Sequence, residues 1–286
     1  MLPPLTDPSY SESANIEIKN NTILSNGWGV YLASRVRIWS GKGGLECRGR
    51  NLKVIANTVR NNNNTLEFDE LPCPWSPFLY DPCVGVEVGG SGLIISDNII
   101  QNSSFGLRIT YYDICPWTVG STDIVVENNK IECNKVGLSI DFCNNIIIRN
   151  NTMLKNQWSF GLHIEEIEDA STIQLEPSNF VDGGRTYYFV NQSNLSINTQ
   201  TLPNVGYLAV ANSENLTVCN LNFSKNIQGL YLFNVKKFDV HNVTVKNCYL
   251  GIQEELSSNG TIKNCTFLWN DSEDLLIWNS TMNLIT

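Results

Sequence analysis

Residues 124–164 read IVVENNKIECNKVGLSIDFCNNIIIRNNTMLKNQWSFGLHI, and this stretch decides the fold. Asn128 and Asn150 stand 22 residues apart, and so do Asn134 and Asn156. A fixed period of this kind is typical of proteins built from stacked repeats. Because 38 of the 286 residues are asparagine, one such column could arise by chance. Several columns in register, with glycine added, indicate a true repeat.

Three columns extend this register along the chain. The second and third follow the first after six and nine residues. Gly161 joins the third column only if its coil holds two extra residues. The first column, a turn position, contains Asn20, Asp97, Asn128, Asn150, Asn220, Asn242 and Asn264. The second column contains Asn26, Ser103, Asn134, Asn156, Asn226, Cys248 and Asn270, and the third contains Gly29, Gly106, Gly137, Gly161, Gly229 and Gly251.

Short apolar strands run between these columns, for example at residues 124–126, 146–148, 216–218 and 238–240. Brief strands separated by turns within a 22-residue repeat describe one coil of a parallel β-helix. Each coil then rises by about 4.8 Å, and equivalent side chains stack. We expect an all-β solenoid with Val, Ile, Leu and Phe inside. Asparagines are expected to stack at the turns, with left-handed backbone and amides bonded along the stack.

One segment resembles a known family. Residues 180–193 read FVDGGRTYYFVNQS, and they lead to VGYLAV at 205–210, NLTV at 215–218 and NLNFSKNIQGL at 220–230. This block, at about 180–235, is similar to the NosD-like right-handed β-helix proteins. The resemblance implies an exported right-handed β-helix of the carbohydrate-binding and sugar-hydrolase type, common on archaeal cell surfaces. It implies no particular activity, because this fold carries lyases, hydrolases, epimerases and adhesins.

Composition excludes two function classes. Only 16% of the residues are charged, the net charge is −9, and no basic cluster occurs, so nucleic-acid binding is not expected. No run of 18 apolar residues is present, so the sequence predicts no membrane span. Polar residues rather than an apolar leader follow Met1–Pro4. We therefore expect either a longer precursor or release by another route, such as a virion protein freed by lysis.

Nine cysteines and thirteen Asn-x-Ser/Thr sequons predict an extracellular protein at a cell or virion surface. A disulfide is expected between Cys73 and Cys83, with Cys73–Cys115 as the rival pairing. Cysteines at 133, 143, 219, 248 and 265 are interpreted as small core residues. The candidate glycosylation sites are Asn20, Asn63, Asn102, Asn150, Asn191, Asn194, Asn215, Asn222, Asn242, Asn259, Asn264, Asn270 and Asn279.

The coils are expected to form one domain over residues 1–286, with a cap at 1–13 and insertions at 66–83, 111–120 and 166–204. Long loops on a rigid repeat often carry binding sites, and the alternative is that these loops only brace the helix. Neither clustered histidines nor a CxxC pair occurs, so no metal site and no cofactor are expected. The aromatic candidates for ligand binding are Trp75, Trp117, Tyr111, Tyr112 and Tyr231.

A candidate catalytic face follows from stacking. The residues two after each glycine give the series Glu87, Arg108, Ser139, His163, Tyr231 and Gln253, and Asp141 and Glu165 follow two residues later. In register, Arg108, Asp141, His163 and Glu165 share one face. Paired acids serve as acid and base or nucleophile, and an arginine neutralises a uronate. The alternative is a solvated strip of surface ion pairs, favoured because no paired-aspartate or Gly-His-Gly signature occurs.

Two functions follow from these alternatives. The preferred one is a non-enzymatic surface repeat that binds glycans or partner subunits in an envelope, filament or virion spike. The other is a polysaccharide-active lyase, hydrolase or epimerase that uses the candidate face. Residues 275–285 still read as coil sequence, so we expect another subunit or more chain to cover that open end of the β-helix.

Overall fold

The computed structural model describes residues 17–24, 30–32, 45–50, 52–60, 84–110, 112–114, 117–119 and 121–286, with backbone alone at 30–32, 45–50, 84–85, 112–114 and 117–119. Several expectations lie outside this part of the chain. They are the cap at 1–13, the insertion at 66–83, Asn26, Gly29, Asn63, Trp75, Tyr111 and both disulfide pairings among Cys73, Cys83 and Cys115.

Strands account for nearly all regular structure in the described residues. In the first part of the chain they are β1 (Glu17–Lys19), β2 (Thr22–Leu24), β3 (Val30–Leu32), β4 (Leu45–Arg50), β5 (Lys53–Ile55), β6 (Thr58–Arg60), β7 (Val84–Ser96), β8 (Ile99–Gln101), β9 (Phe105–Ile109), β10 (Tyr112–Ile114), β11 (Trp117–Val119), β12 (Thr122–Glu127), β13 (Lys130–Glu132), β14 (Val136–Asp141), β15 (Ile146–Arg149), β16 (Thr152–Leu154) and β17 (Trp158–His163).

A four-residue helix, α1 (Ile167–Ala170), follows β17. No helix in the described residues is long and apolar enough to cross a bilayer. The remaining strands are β18 (Ile173–Leu175), β19 (Phe180–Val181), β20 (Gly184–Val190), β21 (Ser193–Ile197), β22 (Val205–Cys219), β23 (Asn222–Ser224), β24 (Gln228–His241), β25 (Thr244–Lys246), β26 (Leu250–Glu255), β27 (Thr261–Lys263), β28 (Thr266–Leu268), β29 (Leu275–Trp278) and β30 (Leu284–Ile285).

Strands one repeat apart pair in parallel, which confirms the all-β parallel β-helix. Ile124 lies opposite Ile146 on the next coil, and Asn222 lies opposite Thr244. One sheet has the order β17-β14-β9-β7-β12-β15-β18, and another runs β2-β6-β8-β13-β16-β19-β20-β22-β24-β26-β29. Among the described strands, β10–β11 and β19–β20 are the antiparallel pairs. The expected insertion at 166–204 therefore supplies β18–β21 to the sheets rather than forming a separate loop.

The turn asparagines form two neighbouring columns with different structural roles. Asn128 of the first predicted column has a positive φ of 57°, which asparagine tolerates. Asn129, the next residue, is buried, and its backbone N–H and side-chain amide both donate to Asn151 Oδ1, at 3.0 and 2.9 Å. The amide ladder thus lies one residue beyond the predicted column. Its buried members are Asn57, Asn98, Asn129, Asn151 and Asn179.

The second predicted column is itself an internal ladder. The Ser103 N–H donates to Asn134 Oδ1, and the Asn134 N–H donates to Asn156 Oδ1, both at 2.9 Å. In a later coil the Cys248 N–H donates to Asn270 Oδ1 at 3.0 Å. Side chains in this column therefore accept hydrogen bonds from the backbone of the preceding coil, as predicted.

The assignment of Gly161 to the glycine column is wrong. Val136 pairs with Trp158 and Leu138 with Phe160, so Gly137 faces Ser159 and the 22-residue step is kept. A Cβ on Gly137 would lie 2.3 Å from the Ser159 carbonyl oxygen, which explains the need for glycine there. Ser159 is fully buried and small enough for the same column. No extra residues enter this coil.

The cysteines whose side chains the structure describes are free thiols. Cys143, Cys219 and Cys248 are buried and Cys265 is half-buried, in agreement with a role as small core residues. Cys133 differs because it is exposed, at a turn with a positive φ of 58°. Its side chain points away from the core, so the interpretation is wrong at this position.

Two stacks of coils make up the molecule. We call the described coils within residues 17–181 the first stack and those of residues 193–285 the second stack, since their interiors form separate apolar clusters. Leu208, Leu230 and Leu232 belong to the second interior. Tyr207 and Tyr231 alternate with them and pack instead against the end of the first interior. One sheet therefore walls the second stack and closes the first.

Candidate functional site

The sheet of β9, β14 and β17 carries the predicted catalytic face. Arg108 lies opposite Ser139, and Asp141 lies opposite His163 on the next strand. The sequence predicts that His163 shares a column with Arg108 and Ser139, and the observed register shows that it does not. The reason is the unbroken 22-residue step, which puts Gly161 opposite Ser139. The correction brings His163 directly beside Asp141.

Arg108 and Asp141 form the best-held part of this face. Arg108 Nε lies 3.5 Å from Asp141 Oδ2, and the Ser139 hydroxyl donates to the same carboxylate at 3.2 Å. The Arg108 side chain is only 3% exposed, and its guanidinium carbon lies 5.4 Å from the Phe105 ring centre. Glu87, opposite Arg108 in the sheet, is also buried. The expected solvated strip of ion pairs is thus wrong here.

His163 connects the two stacks. Its ring lies 4.5 Å from that of Phe142, and its Nε2 atom lies 3.8 Å from Glu255 Oε1. Glu255 belongs to β26 of the second stack and is largely buried. The Tyr231 hydroxyl donates to Glu255 Oε2 at 2.8 Å, and Gln253 Nε2 donates to Oε1 at 2.6 Å. The second stack therefore supplies a carboxylate that is fixed before any ligand arrives.

Sequence reasoning missed Glu255, although a signal was present. Asp141 was found two residues after Ser139 in the stacked series, and Glu255 stands two residues after Gln253 in the same series. The same two-residue offset therefore predicts Glu255 as a further acid of the face. Its approach to His163 depends on how the second stack abuts the first, which the repeat pattern does not encode.

Glu165 is the most accessible acid of the predicted set. It lies just beyond β17, is exposed, and follows His163 by two residues. Partial burial raises the pKa of the Glu165 carboxyl, the charges of Glu166 and Asp169 raise it further, and His163 opposes them. A carboxyl with a raised pKa keeps its proton to higher pH, which suits a proton donor.

Tyr231 is not a ligand-stacking residue, contrary to expectation. Its side chain is fully buried, and its hydroxyl oxygen accepts the Ile164 N–H at 3.4 Å. Burial and the Glu255 charge raise the pKa of Tyr231 well above its usual range. Tyr231 therefore supports the face from behind. Trp117 and Tyr112 lie in the β10–β11 hairpin, for which only the backbone is described.

The sequon asparagines lie mainly at the surface. Of the twelve within the described residues, eleven are exposed, and Asn270 is half-buried and donates to Asp274. Several have positive φ, as at Asn150 and Asn242 in the first predicted column. The turns thus present these side chains to solvent, as a glycan acceptor requires.

The family follows from a sequence comparison. A family model described as "Right handed beta helix region" matches residues 9–166, more than half of the chain. The chain belongs to the right-handed β-helix family. No curated protein sequence matches it significantly. The finer likeness to NosD-like proteins and to archaeal surface proteins is not part of this match.

Several solved structures resemble the chain at low identity. The catalytic unit of a GH87 α-1,3-glucanase from Streptomyces thermodiastaticus is 12% identical, with 86% of this chain and 49% of that chain covered and a TM-score of 0.34. The tailspike gp49 of Acinetobacter baumannii bacteriophage Fri1, a capsular polysaccharide depolymerase, is 13% identical, with 85% and 46% covered and a TM-score of 0.32. The Streptococcus pneumoniae surface protein and adhesin PfbA is 11% identical, with 98% and 79% covered and a TM-score of 0.33.

These findings correct the preferred function. The chain spans about half the length of the glucanase unit, and such low identities show a shared β-helix fold and no more. The face itself differs from a solvated strip, because Arg108 and Glu87 are buried and Arg108 is paired with Asp141. The expectation of a non-enzymatic surface repeat is therefore wrong, and the enzyme alternative is the better supported of the two.

Proposed function

We propose that this β-helix protein hydrolyses glycosidic bonds in a neutral polysaccharide, with Asp141 and Glu165 as the acid pair. One observation carries the proposal: Arg108 pairs with Asp141, Asp141 lies opposite His163 on the next strand, and His163 approaches Glu255 of the second stack. Carboxylates arranged on one rigid face, with their supports buried, are what glycoside hydrolysis requires.

The two acids have different surroundings and therefore different roles. Glu165, whose pKa is raised, donates its proton to the glycosidic oxygen as the bond to the anomeric carbon breaks. Asp141, held by Arg108 and Ser139, accepts a proton from the water whose oxygen bonds to that carbon. Adjacent parallel strands and a two-residue offset place the two residues within about 5–10 Å, the scale that such a pair needs.

His163 and Glu255 act as positioning residues. Phe142 and Glu255 hold the imidazole beside Asp141, and Glu255 is in turn fixed by Tyr231 and Gln253. Fixed supports matter because small displacements of reacting groups cost large factors in rate. We assign these residues to the orientation of the acid pair rather than to bond cleavage.

The substrate is proposed to be neutral because Arg108 is already used. Its side chain is buried and paired with Asp141. Arg108 therefore does not reach a uronate carboxylate, although the sequence predicted that role. The net charge of −9 also disfavours an acidic polymer. A neutral chain needs only hydrogen bonds and ring contacts.

We further propose that the protein acts outside the cell, in line with its exposed sequons. A NosD-like relationship at residues 180–235 and an archaeal surface origin belong to the same proposal. Expected partners are glycans or surface-protein subunits. Mass spectrometry of glycopeptides from the native source checks the extracellular proposal, since occupied sequons are expected.

Release of reducing ends from a panel of neutral polysaccharides tests the catalytic proposal. Asp141→Asn is expected to lower kcat by at least about 100-fold, the usual contribution of a general base. Asp239→Asn is the matched control, since Asp239 binds His241 and Lys263 beyond the bend at Asn234 and should leave activity unchanged. Equal losses in both variants, or full activity in Asp141→Asn, would contradict the proposal.

A further inference from the structure

A second polar and aromatic site lies away from the catalytic face. It is a cleft of about 190 Å³, lined by Gln157, Trp158, Lys225, Asn247, Trp269 and Asp271. Trp158 begins β17 and His163 ends it, so the two sites lie at opposite ends of one strand, about 17 Å apart. The cleft is therefore not an extension of the acid pair.

Three successive coils build one side of this cleft. Lys225, Asn247 and Trp269 occupy the same turn on coils 22 residues apart, each with a positive φ between 52° and 57°. The Asn247 N–H donates to the Leu268 carbonyl at 3.0 Å, which holds the upper two turns together. A bulky aromatic residue in left-handed backbone is unusual and is a reason to look for function.

Trp269 presents its indole to solvent, with 75% of the residue exposed. Polar groups surround the space below it. Asp271 Oδ2 accepts a hydrogen bond from Gln157 Nε2 at 2.9 Å, and Lys225 Nζ lies 3.8 Å from Asp182 Oδ2. The Asn247 side chain is exposed. Lining charges are thus one amine and one carboxylate, which balance.

The floor of the cleft is rigid. Trp158 is 5% exposed, packs edge-on against Tyr249 with ring centres 5.0 Å apart, and lies beneath Lys135 Nζ at 5.6 Å. A fixed floor and an exposed flat ring suit a flat ligand with one apolar face. A pyranose ring has such a face in its C–H groups, and its hydroxyls match the amides, amine and carboxylate around it.

We propose that this cleft is a saccharide-binding subsite in which a neutral sugar ring stacks on Trp269. Gln157, Asn247, Lys225 and Asp271 bind its hydroxyls. The balanced charge of the lining favours a neutral sugar over a uronate. This subsite goes beyond the proposed hydrolysis, because it binds without cleaving and would hold a polymer at a distance from the acid pair.

The apolar residues at the last coil do not share this arrangement. Trp278, Met282 and Leu284 are also exposed, yet they do not line the cleft. Trp278, which is 43% exposed, is therefore a matched control for loss of an exposed indole.

Calorimetric titration of the full chain tests the subsite. The probes are maltohexaose, cellohexaose, laminarihexaose and hexagalacturonate, with Asp141→Asn as background so that no probe is cleaved. At least one neutral hexasaccharide is expected to bind, and Trp269→Ala is expected to weaken it by at least tenfold. Trp269→Phe should retain part of the affinity, and Trp278→Ala should stay within twofold of the background protein.

Other outcomes would overturn the subsite. They are no binding by any neutral probe at millimolar concentration, equal binding in Trp269→Ala, or a preference for hexagalacturonate. Thermal unfolding of Trp269→Ala confirms that the fold is intact, which is expected for an exposed side chain. Binding without any hydrolysis by the wild-type chain would contradict the proposed function alone, and hydrolysis without Trp269-dependent binding would contradict the subsite alone.

Discussion

The two stacks build the same turn with residues of opposite polarity. In the first stack the residue after the left-handed turn is a buried asparagine, as at Asn129 and Asn151, and its amide bonds the next coil. In the second stack the same position holds Leu221 and Val243, both buried. The backbone bond to the following coil is unchanged, since the Thr152 N–H donates to Asn129 O and the Thr244 N–H donates to Leu221 O, each at 2.9 Å. A β-helix turn thus requires a column of like residues, polar or apolar.

The largest expected effect is a loss of stability when a column residue of one stack is replaced by the residue type of the other stack. Asn151 accepts from Asn129 and donates to the Val126 carbonyl at 2.9 Å, so Asn151→Leu leaves several buried groups without these bonds. The expected loss is about 2–5 kcal/mol of unfolding free energy. The reverse change, Leu221→Asn, places an amide among apolar neighbours and is expected to cost about 1–3 kcal/mol.

Urea unfolding of the two variants measures both costs. If Asn151→Leu were as stable as the wild-type chain, the amide ladder would not be needed and the comparison would fail. A loss of stability in Leu221→Asn alone would indicate that only the second stack requires residues of one polarity at this turn position.

Glu255→Gln tests the junction between the stacks. The amide oxygen still accepts from Gln253, and the new amide N–H can donate to the Tyr231 hydroxyl oxygen, so the fold should survive. His163 loses the carboxylate beside it. We expect kcat to fall by about ten- to a hundredfold with little change in KM, and the pH profile to shift, because a positioning residue alters geometry rather than substrate affinity. The comparison is with Glu214→Gln, which removes an exposed contact to Lys237.

Identical kinetics in Glu255→Gln and Glu214→Gln would remove the second stack from the proposed site. A fall in unfolding temperature without a change in the pH profile would assign Glu255 to structure alone.

The smallest expected effect concerns Glu165 and pH. Because its pKa is raised in the folded chain, folding holds that proton more tightly, and stability is lost as pH rises from the ordinary carboxyl pKa through the raised one. Glu165→Gln should therefore slightly raise the urea midpoint at pH 7 and leave it unchanged at pH 3. A variant that is less stable than the wild-type chain at pH 7 only would contradict the sign of this shift.

Sequence periodicity was enough for the fold but only partly for the site. The 22-residue step gave the parallel register and the Asn134–Asn156 ladder, because a solenoid repeats its local structure along the chain. It misplaced the Asn129–Asn151 ladder by one residue, since adjacent asparagines share the turn and only burial tells them apart. The predicted column of His163 is wrong because Gly161 was aligned with the glycine column, whereas the 22-residue step places Gly161 opposite Ser139.

Contacts between the stacks were beyond the repeat pattern. The approach of Glu255 to His163 depends on one sheet closing the first stack while walling the second. Burial of Arg108, which overturned the expected role of that residue with a uronate, is likewise a tertiary effect that alternation in a strand does not predict.

A crystal structure of Glu165→Gln with a neutral hexasaccharide tests the central claim most directly. The account predicts a glycosidic oxygen between the substituted amide side chain at position 165 and the Asp141 carboxylate, with the sugar over the face formed by β14 and β17. A sugar bound only at Trp269, or on another face while Asp141 stays covered, would contradict it.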